Sequence, residues 1–303
     1  MNLIALLVSL LIERLATQFF HWRRMRWMDR LIDAGFRSLG SERWPALAVV
    51  VVLAVLLALP VFVVTFALGD SLLGFPYLAL AIVVLFFSLG PKDIGEDVDE
   101  YCVALEKDDD EAIAHAARAL IEGDVPDDPV ERMEVVESAV FVQANNRLFA
   151  VIFWFVVLGP LGPLGAWAYR VTDLVRRRAV FSAARASGDD GARLSATRDA
   201  AVRLHAWLAW IPARLTALGY AIAGHFDGAL QAWRDRGDLS GPGATEALLA
   251  RVGRGAMVLD TDDEEDLRER AIRGASAANR LVFRQLLIWV VLIAALTLYG
   301  WTL

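Results

Sequence analysis

The sequence contains few cysteines and few lysines. Cys102 is the single cysteine, so the chain forms neither an intrachain disulfide nor a cluster of thiolate metal ligands. Lys92 and Lys107 are the only lysines among 30 basic residues, and neither completes a Gly-x-x-x-x-Gly-Lys-Ser/Thr loop, which excludes a conventional P-loop nucleotidase. A net charge of −7, without a clustered basic surface, argues against nucleic acid as a partner.

Motifs of metal sites and of hydrolases are also missing. The four histidines show no metal-ligand spacing, and no Gly-x-Ser-x-Gly elbow supports a serine hydrolase. The acidic run that starts at Asp260 begins like a calcium loop but lacks the glycine and the glutamate that such a loop requires. We therefore assign no metal site and no catalytic residue from the sequence.

Long uncharged runs dominate what is present. Hydrophobic residues make up 57% of the chain, and residues 46–69 are 24 consecutive uncharged positions, enough to cross a hydrocarbon core of about 30 Å. Residues 72–89 and 286–303 are two further runs of this kind. The apolar N-terminal stretch lacks the basic start and small-residue cleavage site of a signal peptide, and we interpret it as a retained span over residues 3–20.

Two other apolar segments are irregular. Residues 148–169 are uncharged, but glycines and prolines crowd positions 159–165, which predicts a re-entrant or broken segment. Residues 204–224 are interrupted by Pro212, and the helical face that carries Trp207, Trp210 and Arg214 also carries Arg203, which directly precedes the segment. This pattern favours a helix that lies at the level of the lipid headgroups. Whether either segment crosses the membrane is left open by the sequence.

Arginine placement predicts the orientation. Residues 22–44 hold six arginines against three acids, which makes this loop cytoplasmic by the positive-inside rule. Arg170 and Arg176 to Arg178 place the region after Tyr169 on the same side, which requires residues 148–169 to return to the face they left. The prediction is a multi-pass inner-membrane protein with four crossings, both termini outside, and cytoplasmic regions 90–147 and 170–285.

The polar regions are predicted to be helical. Asp108 or Asp109 can cap one helix, and Asp128 with Pro129 and Glu131 has the pattern of an N-cap, a proline at the first helical position and a capping-box acid. Thr261 and Glu264 form a second capping box, for a helix that continues to the C-terminus. Because no alternating strand pattern competes, the predicted fold is all-α: one polytopic membrane domain over residues 1–303.

Polar residues next to the membrane segments are the candidate ligand-binding residues. If the first, broken and interfacial segments pack together, these side chains would line one polar cavity facing the cytoplasm, with arginines suited to an anionic ligand. The competing interpretation is that they are ordinary interface residues, with Glu13 and Arg14 snorkelling to the headgroups. The set is Glu13, Arg14, Glu137, Asn145, Arg147, Tyr169, Arg214 and His225.

Some of these residues lie in stretches that resemble a known family. The stretch Trp210 to Thr216 reads Trp-Ile-Pro-Ala-Arg-Leu-Thr and is followed by Gly224-His225; with Asn145-x-Arg147 and the glycine-rich run to Tyr169, it resembles the AmpE family. The AmpE family is similar in turn to the CobD/CbiB cobinamide-phosphate synthases. Arg170 stands where the synthases have a lysine, and Asn145 stands in a stretch that departs from their acid-Asn-Thr-Ser-Asp motif.

The resemblance implies a function. An AmpE-like protein modulates signalling linked to cell-wall turnover and β-lactamase induction on β-lactam exposure, with a functional link to the AmpD amidase. The synthase side of the resemblance implies an alternative, an amide synthetase that uses ATP and Mg²⁺. A transporter is disfavoured, because four crossings leave little room for alternating access and no internal repeat is visible. The bilayer is the expected partner, and a homo-oligomer is an open alternative.

The predicted orientation can be tested with a cysteine introduced near Arg177. We expect a membrane-impermeant thiol reagent applied from the periplasm to leave it unlabelled, since residues 170–285 are predicted to be cytoplasmic. The parent chain, whose single cysteine is Cys102, measures the background. Labelling from the periplasm would exclude the re-entrant arrangement.

Overall fold

The protein is helical throughout the part of the chain that the structure describes. The structure, a computed structural model, describes residues 4–9, 25–39, 44–68, 74–90, 93–122, 124–186, 189–235, 241, 243–257 and 266–299. Within these ranges no residue belongs to a β-strand, which confirms the all-α prediction. Residues 4–9 are helical, and twelve longer α-helices follow.

These longer helices are numbered in chain order. They are α1 (Arg26–Leu39), α2 (Ala46–Ala67), α3 (Phe75–Ser88), α4 (Ile94–Lys107), α5 (Asp110–Leu120), α6 (Pro129–Ala144), α7 (Ala150–Val157), α8 (Gly162–Arg185), α9 (Asp189–Ala223), α10 (Phe226–Arg234), α11 (Ala244–Ala256) and α12 (Leu267–Leu298). A π-helical turn, Asn145–Phe149, joins α6 to α7, and a 3₁₀ turn, Gly159–Leu161, joins α7 to α8.

Two predicted helix starts are confirmed. Asp109 accepts a hydrogen bond from the Ala112 amide at 3.0 Å and begins α5. Asp128 accepts one from the Glu131 amide at 2.9 Å and begins α6, with proline at its first position. Each carboxylate satisfies an amide that has no partner within its own helix. The capping box predicted at residues 261–264 lies outside the described residues.

Among the described residues, three helices are long and apolar enough to cross a membrane. They are α2, the continuous helix Pro129–Val157, and α12. Helix α2 and the end of α12 leave large apolar side chains uncovered, with Phe66 62% and Val291 68% exposed. Because exposed apolar surface of this extent requires a lipid surrounding, the chain is a membrane protein.

Pro129–Val157 differs from the other two helices and from the sequence-based spans. The sequence divided this stretch between a cytoplasmic region and a re-entrant segment, whereas the structure has one helix that runs through the π-helical turn. Of its most apolar stretch of 18 residues, 67% is buried within the protein. Charged residues in this stretch, among them Glu137 and Arg147, kept it out of the spans predicted from the sequence. Both side chains are buried in the structure.

Two other predicted spans remain predictions. Helix α3 is apolar but has 14 residues, so its length is about 21 Å at 1.5 Å per residue, short of a hydrocarbon core. Of residues 3–20, the structure describes only 4–9. The number of membrane crossings therefore stays a prediction from the sequence.

The predicted helix break in the Gly/Pro run is confirmed. Helix α7 ends at Val157, Gly159 adopts a left-handed φ of +53°, and α8 begins at Gly162. Gly165 lets α8 approach α7, because a Cβ there would lie under 3.0 Å from the Trp154 carbonyl oxygen. The Tyr77 hydroxyl donates to the Gly159 carbonyl at 3.2 Å and fixes the turn to α3.

The chain divides into two compact units, each with its own apolar core. The first unit comprises Met1–Pro91, Ala150–Trp210 and Ala294–Leu303, and the second comprises Lys92–Phe149 and Ile211–Ile293. In the first unit, Met28, Ile32, Leu53, Val171 and Val175 are core residues from α1, α2 and α8. The second unit packs around aromatic side chains, which include Tyr101, Phe141, Phe149 and Tyr220.

Close packing against Phe141 gives a stability prediction. A Cβ on Gly253 would lie under 3.0 Å from three ring carbons of Phe141, which is fully buried. We expect Gly253→Ala to lower the free energy of unfolding of the detergent-solubilised protein by about 1–3 kcal/mol through overpacking. Gly243→Ala is the control, since no heavy atom of the described residues lies within 4 Å of the position that its Cβ would take. Equal thermal midpoints for the two variants would contradict this account.

Candidate functional site

The second unit contains a polar cleft between α6 and α11, which we call the α6–α11 cleft. Its volume is about 410 Å³. It is lined by Glu137, Ser138, Ala232, Asp235, Ala250, Arg251, Arg254 and Met257. Two carboxylates and two guanidiniums thus meet in one concave surface, with Met257 and two alanines as its apolar part.

Glu137 and Arg254 face each other across the cleft at a long distance. Glu137 is buried on α6, and its Oε2 lies 3.4 Å from Arg254 Nε. Arg254 Nη1 lies 3.4 Å from Glu134 Oε2 as well. Both distances exceed the 2.7–2.9 Å that is typical of a charge-assisted hydrogen bond. The Arg254 guanidinium is therefore held loosely by its two carboxylates.

Arg251 is the cleft residue whose donors are least satisfied. Its Nη1 donates to the Asp235 carbonyl oxygen at 2.7 Å. Its Nε and Nη2 are buried and have no acceptor among the residues that the structure describes. A buried donor without an acceptor costs about 1–3 kcal/mol, more when it is charged. An acceptor supplied by a ligand would remove this cost.

Glycines set how closely the helices around the cleft approach. A Cβ on Gly228 of α10 would collide with the Gly255 carbonyl oxygen, and a Cβ on Gly255 of α11 would collide with that of Gly228. A Cβ on Gly274 of α12 would occupy the position of the Glu137 carboxylate. The sequence therefore places α10 against α11, and leaves room for the Glu137 side chain against α12.

Asn145 lies in a buried polar network at the π-helical turn. Its Oδ1 accepts from the Thr216 hydroxyl at 3.1 Å, and its Nδ2 donates to Asn146 Oδ1 at 3.1 Å. Gln285 Nε2 donates to the Thr216 carbonyl oxygen at 3.0 Å, which joins α12 to α9. π-Helical turns inside α-helices occur often at functional sites, and this one directs two amides into the interior. A ligand-binding role for Asn145 stays a prediction.

Arg147 is buried two residues further along the same turn. Its Nη1 donates to Asp97 Oδ2 at 2.7 Å, its Nη2 to the Ala119 carbonyl oxygen at 2.7 Å, and its Nε to Gln143 Oε1 at 2.9 Å. These contacts connect α4, α5 and α6 and engage all three guanidinium nitrogens. In this arrangement Arg147 holds the second unit together, and its predicted contact with a ligand remains untested.

His225 and Arg214 do not line the α6–α11 cleft. His225 is the N-cap of α10: its Nδ1 accepts from the Gly228 amide at 3.0 Å, and its own amide donates to the Ala256 carbonyl oxygen at 2.8 Å. Arg214 is half-buried on α9. Of the predicted residues, Glu137 alone belongs to the cleft among the described part of the chain. Ligand binding by the other two stays a prediction.

Tyr169 belongs to the first unit, where it lies beside a buried charge cluster. Its ring centroid is 5.4 Å from that of His205. The fully buried Asp173 accepts from Arg170 at 3.0 Å, Arg176 at 2.7 Å and Arg177 at 2.9 Å, and its Oδ1 lies 3.7 Å from His205 Nε2. The cluster gathers three arginines and one histidine around a single carboxylate.

The pKa of Asp173 follows from these neighbours. Burial alone would raise the pKa of its carboxyl, but the positive charges of Arg177, Arg176, His205 and Arg170 together lower it well below the usual range. Asp173 lies outside the three candidate membrane spans. The carboxylate therefore stays ionised at every physiological pH.

Glu13 and Arg14 lie outside the described residues. Among the described residues, no three His, Cys, Asp or Glu side chains come close enough to hold a metal ion.

Arg251 and Arg254 are cleft residues that the sequence reading missed. The available signal was weak: two arginines three positions apart in the small-residue helix α11, which reads Ala-Thr-Glu-Ala-Leu-Leu-Ala-Arg-Val-Gly-Arg-Gly-Ala. Residues three apart share one helical face, and the glycines beside Arg254 indicated close contact with another helix. Nothing local identified Glu137 as the facing carboxylate.

Comparisons with known proteins show similarity to two groups, AmpE and proteins named CobD. The family described as "Regulatory signalling modulator protein AmpE" matches residues 1–303. The chain is 28% identical to "Protein AmpE" of Shigella flexneri over 99% of both chains. It is 29% identical to "Cobalamin biosynthesis protein CobD" of Stutzerimonas stutzeri, over 74% of this chain and 67% of the relative. The protein of the same name from Chromobacterium violaceum is 26% identical, over 81% and 77%. No solved structure matches the chain significantly.

The charge cluster around Asp173 gives a prediction on stability and pH. We expect Asp173→Asn to destabilise the protein by about 3–5 kcal/mol at pH 7, since it leaves buried arginines without their carboxylate. Because the pKa of Asp173 is lowered on folding, its contribution is present above the ordinary carboxyl pKa. It begins to fall below about pH 4 and is lost completely only below the lowered pKa of the folded protein, so the difference between parent and variant should narrow by at most about 1.4 kcal/mol for each pH unit below 4.

Unfolding of the detergent-solubilised protein, followed from pH 7 to pH 3, measures this difference. Asp199→Asn is the matched control, because Asp199 is exposed and pairs with the neighbouring Arg198 at 2.9 Å on the surface. Its effect should stay below about 1 kcal/mol. A variant at position 173 as stable as this control at pH 7 would show that the cluster contributes nothing.

Proposed function

We propose that this chain, which belongs to the AmpE family, is a multi-pass inner-membrane protein that modulates signalling by binding a small ligand with an anionic group. The family description supports the regulatory part of this proposal. We further propose that the signalling is linked to cell-wall turnover and β-lactamase induction, with the AmpD amidase as functional partner. The α6–α11 cleft is the proposed ligand site.

The membrane arrangement rests on exposed apolar helices and on arginine placement. Helix α2 and the end of α12 expose side chains that only lipid can cover. Arg30 and Arg37 of α1 precede α2 closely, as expected for a cytoplasmic segment before a span. Bacterial proteins with this charge distribution insert into the inner membrane, which supports the proposed localisation.

The observation that carries the ligand proposal is the state of Arg251. Two of its nitrogens are buried without an acceptor among the described residues, in a cleft where Arg254 is also loosely held. A guanidinium presents parallel N–H groups that match a carboxylate or phosphate. An anionic group bound in the cleft would supply the acceptor that these two donors lack.

The rest of the lining restricts the ligand further. Glu137 and Asp235 add negative charge to the same surface. These carboxylates would repel a purely anionic ligand. A ligand that also carries an ammonium, amide or hydroxyl donor would pair with the carboxylates as well as with the arginines. A fragment of cell-wall peptide has both kinds of group, which is why we favour that class.

The alternative is an amide synthetase, which the relatives named "Cobalamin biosynthesis protein CobD" favour. Such an enzyme would use ATP and Mg²⁺. Glu137 is one buried carboxylate, and the described residues include no group of three ligands suited to a metal.

Mass spectrometry of the small molecules that co-purify with the gently solubilised protein tests the proposal. We expect a ligand with a carboxylate or phosphate group in the parent protein and at least tenfold less of it in Arg251→Gln. Loss of a hydrogen bond to a charged group costs about 1.5–3 kcal/mol, which is roughly 10–100-fold in affinity. Arg118→Gln is the control, because Arg118 is exposed on α5 of the same unit.

The identity of the ligand separates the two functions. A muropeptide-like species supports the modulator, and a corrinoid or nucleotide supports the synthetase. Glu137→Gln adds a cellular measurement: altered β-lactamase induction without any substrate turnover favours the modulator, and loss of a turnover activity favours the enzyme. If Arg251→Gln retains the same species in the same amount as Arg118→Gln, the cleft is not the site.

A further inference from the structure

A second cavity, in the first unit, is rich in arginine. Its volume is about 670 Å³, and α1, α8 and α9 form its walls. Among its ten lining residues are Asp33, Arg37, Arg178, Phe181, Arg185 and Arg193. We call it the arginine cavity. Four of its ten lining residues are arginines and one is a carboxylate, so its surface is strongly basic.

The single carboxylate in this lining is already neutralised. Arg178 Nε donates to Asp33 Oδ1 at 2.6 Å, and Arg178 Nη2 donates to the second carboxylate oxygen. This paired geometry raises the pKa of Arg178, partly against the effect of its burial, with a further contribution from Asp29. Asp33 therefore compensates Arg178, and the charges of Arg37 and Arg185 remain in excess in the cavity.

An aromatic ring positions one of these excess charges. The Arg185 guanidinium carbon lies 3.4 Å from the centroid of the Phe181 ring, and that of Arg178 lies 4.8 Å from it. Stacking on an aromatic face leaves the planar edge of a guanidinium, with its parallel N–H groups, directed outwards. This edge matches two oxygens of a phosphate group. Arg185 is thus oriented for phosphate before any ligand arrives.

The cavity lies next to the start of a candidate membrane span. Helix α1 forms one wall, and six residues separate its end at Leu39 from the start of α2 at Ala46. Trp27, near the start of α1, and Trp44, just before α2, are both about half exposed. Tryptophans mark the level of the headgroups, and basic pockets near membrane helices bind anionic lipid headgroups.

We propose that the arginine cavity binds a phosphate-bearing anion, held by Arg185 and Arg37 with the Arg178–Asp33 pair as its floor. A volume of about 670 Å³ exceeds that of inorganic phosphate and suits a phosphodiester headgroup or a small soluble phosphate ester. The site is separate in sequence and chemistry from the α6–α11 cleft, so it does not depend on the function proposed for that cleft.

Native mass spectrometry of the full chain in detergent, with two short-chain lipids, tests this proposal. The probes are dioctanoyl phosphatidylglycerol and the neutral dioctanoyl phosphatidylcholine, and titration with pyrophosphate measures binding of a soluble anion. We expect binding of at least one anionic probe, weakened about tenfold or more in Arg37→Gln/Arg185→Gln. Arg198→Gln is the matched control, since Arg198 is exposed on α9, pairs with Asp199 and does not line the cavity.

The outcomes distinguish the source of the phosphate. Weakened phosphatidylglycerol binding without pyrophosphate binding identifies a lipid headgroup, and weakened pyrophosphate binding identifies a soluble ester. Arg37 and Arg185 are exposed, so the double variant should fold, and Arg185→Lys should give an intermediate loss because it keeps the charge without the planar fork. Equal binding of both anionic probes by parent, double variant and control would overturn the proposal, as would a parent that binds neither.

Discussion

The cost of burying charge is the constraint on which this structure depends. A charged side chain inside a helical core destabilises the fold by several kcal/mol unless an opposite charge or a carbonyl group meets it. Asp173 in the first unit and Arg147 in the second are buried, and short hydrogen bonds pair each of them with a partner. The α6–α11 cleft departs from this pattern: Glu137 meets Arg254 at 3.4 Å, and two nitrogens of Arg251 lack an acceptor within the described residues. Such incomplete pairing is where a binding site is expected.

Glycines determine how closely helices and buried side chains approach one another. Gly253 admits the Phe141 ring, Gly274 admits the Glu137 carboxylate, and Gly165 brings α8 against α7. The same positions that make each unit compact therefore also shape the cleft and the turn after Val157.

The cleft and the arginine cavity differ in their charge balance, and this difference decides what each can bind. The cleft has two carboxylates and two guanidiniums, which suit a ligand with groups of both signs. The arginine cavity has four guanidiniums and one carboxylate that Arg178 already occupies, which suits phosphate. An AmpE-family protein with relatives named for cobalamin biosynthesis thus contains two chemically distinct surfaces, and the family description alone distinguishes neither.

The sequence by itself determined the helical fold, the membrane character, a cap at Asp108 or Asp109, the cap at Asp128, and the break in the Gly/Pro run. These features are local, because hydropathy, capping and φ preferences act over a few neighbouring residues. Only the tertiary structure decided the partners of the polar side chains. Arg147, which the sequence suggested as a ligand-binding residue, instead donates to Asp97, 50 positions away. Arg251 and Arg254 of α11 line the cleft, but they were not among the residues predicted from the sequence. Charge pairing joins distant segments, and no periodicity in the sequence records which of them the fold brings together.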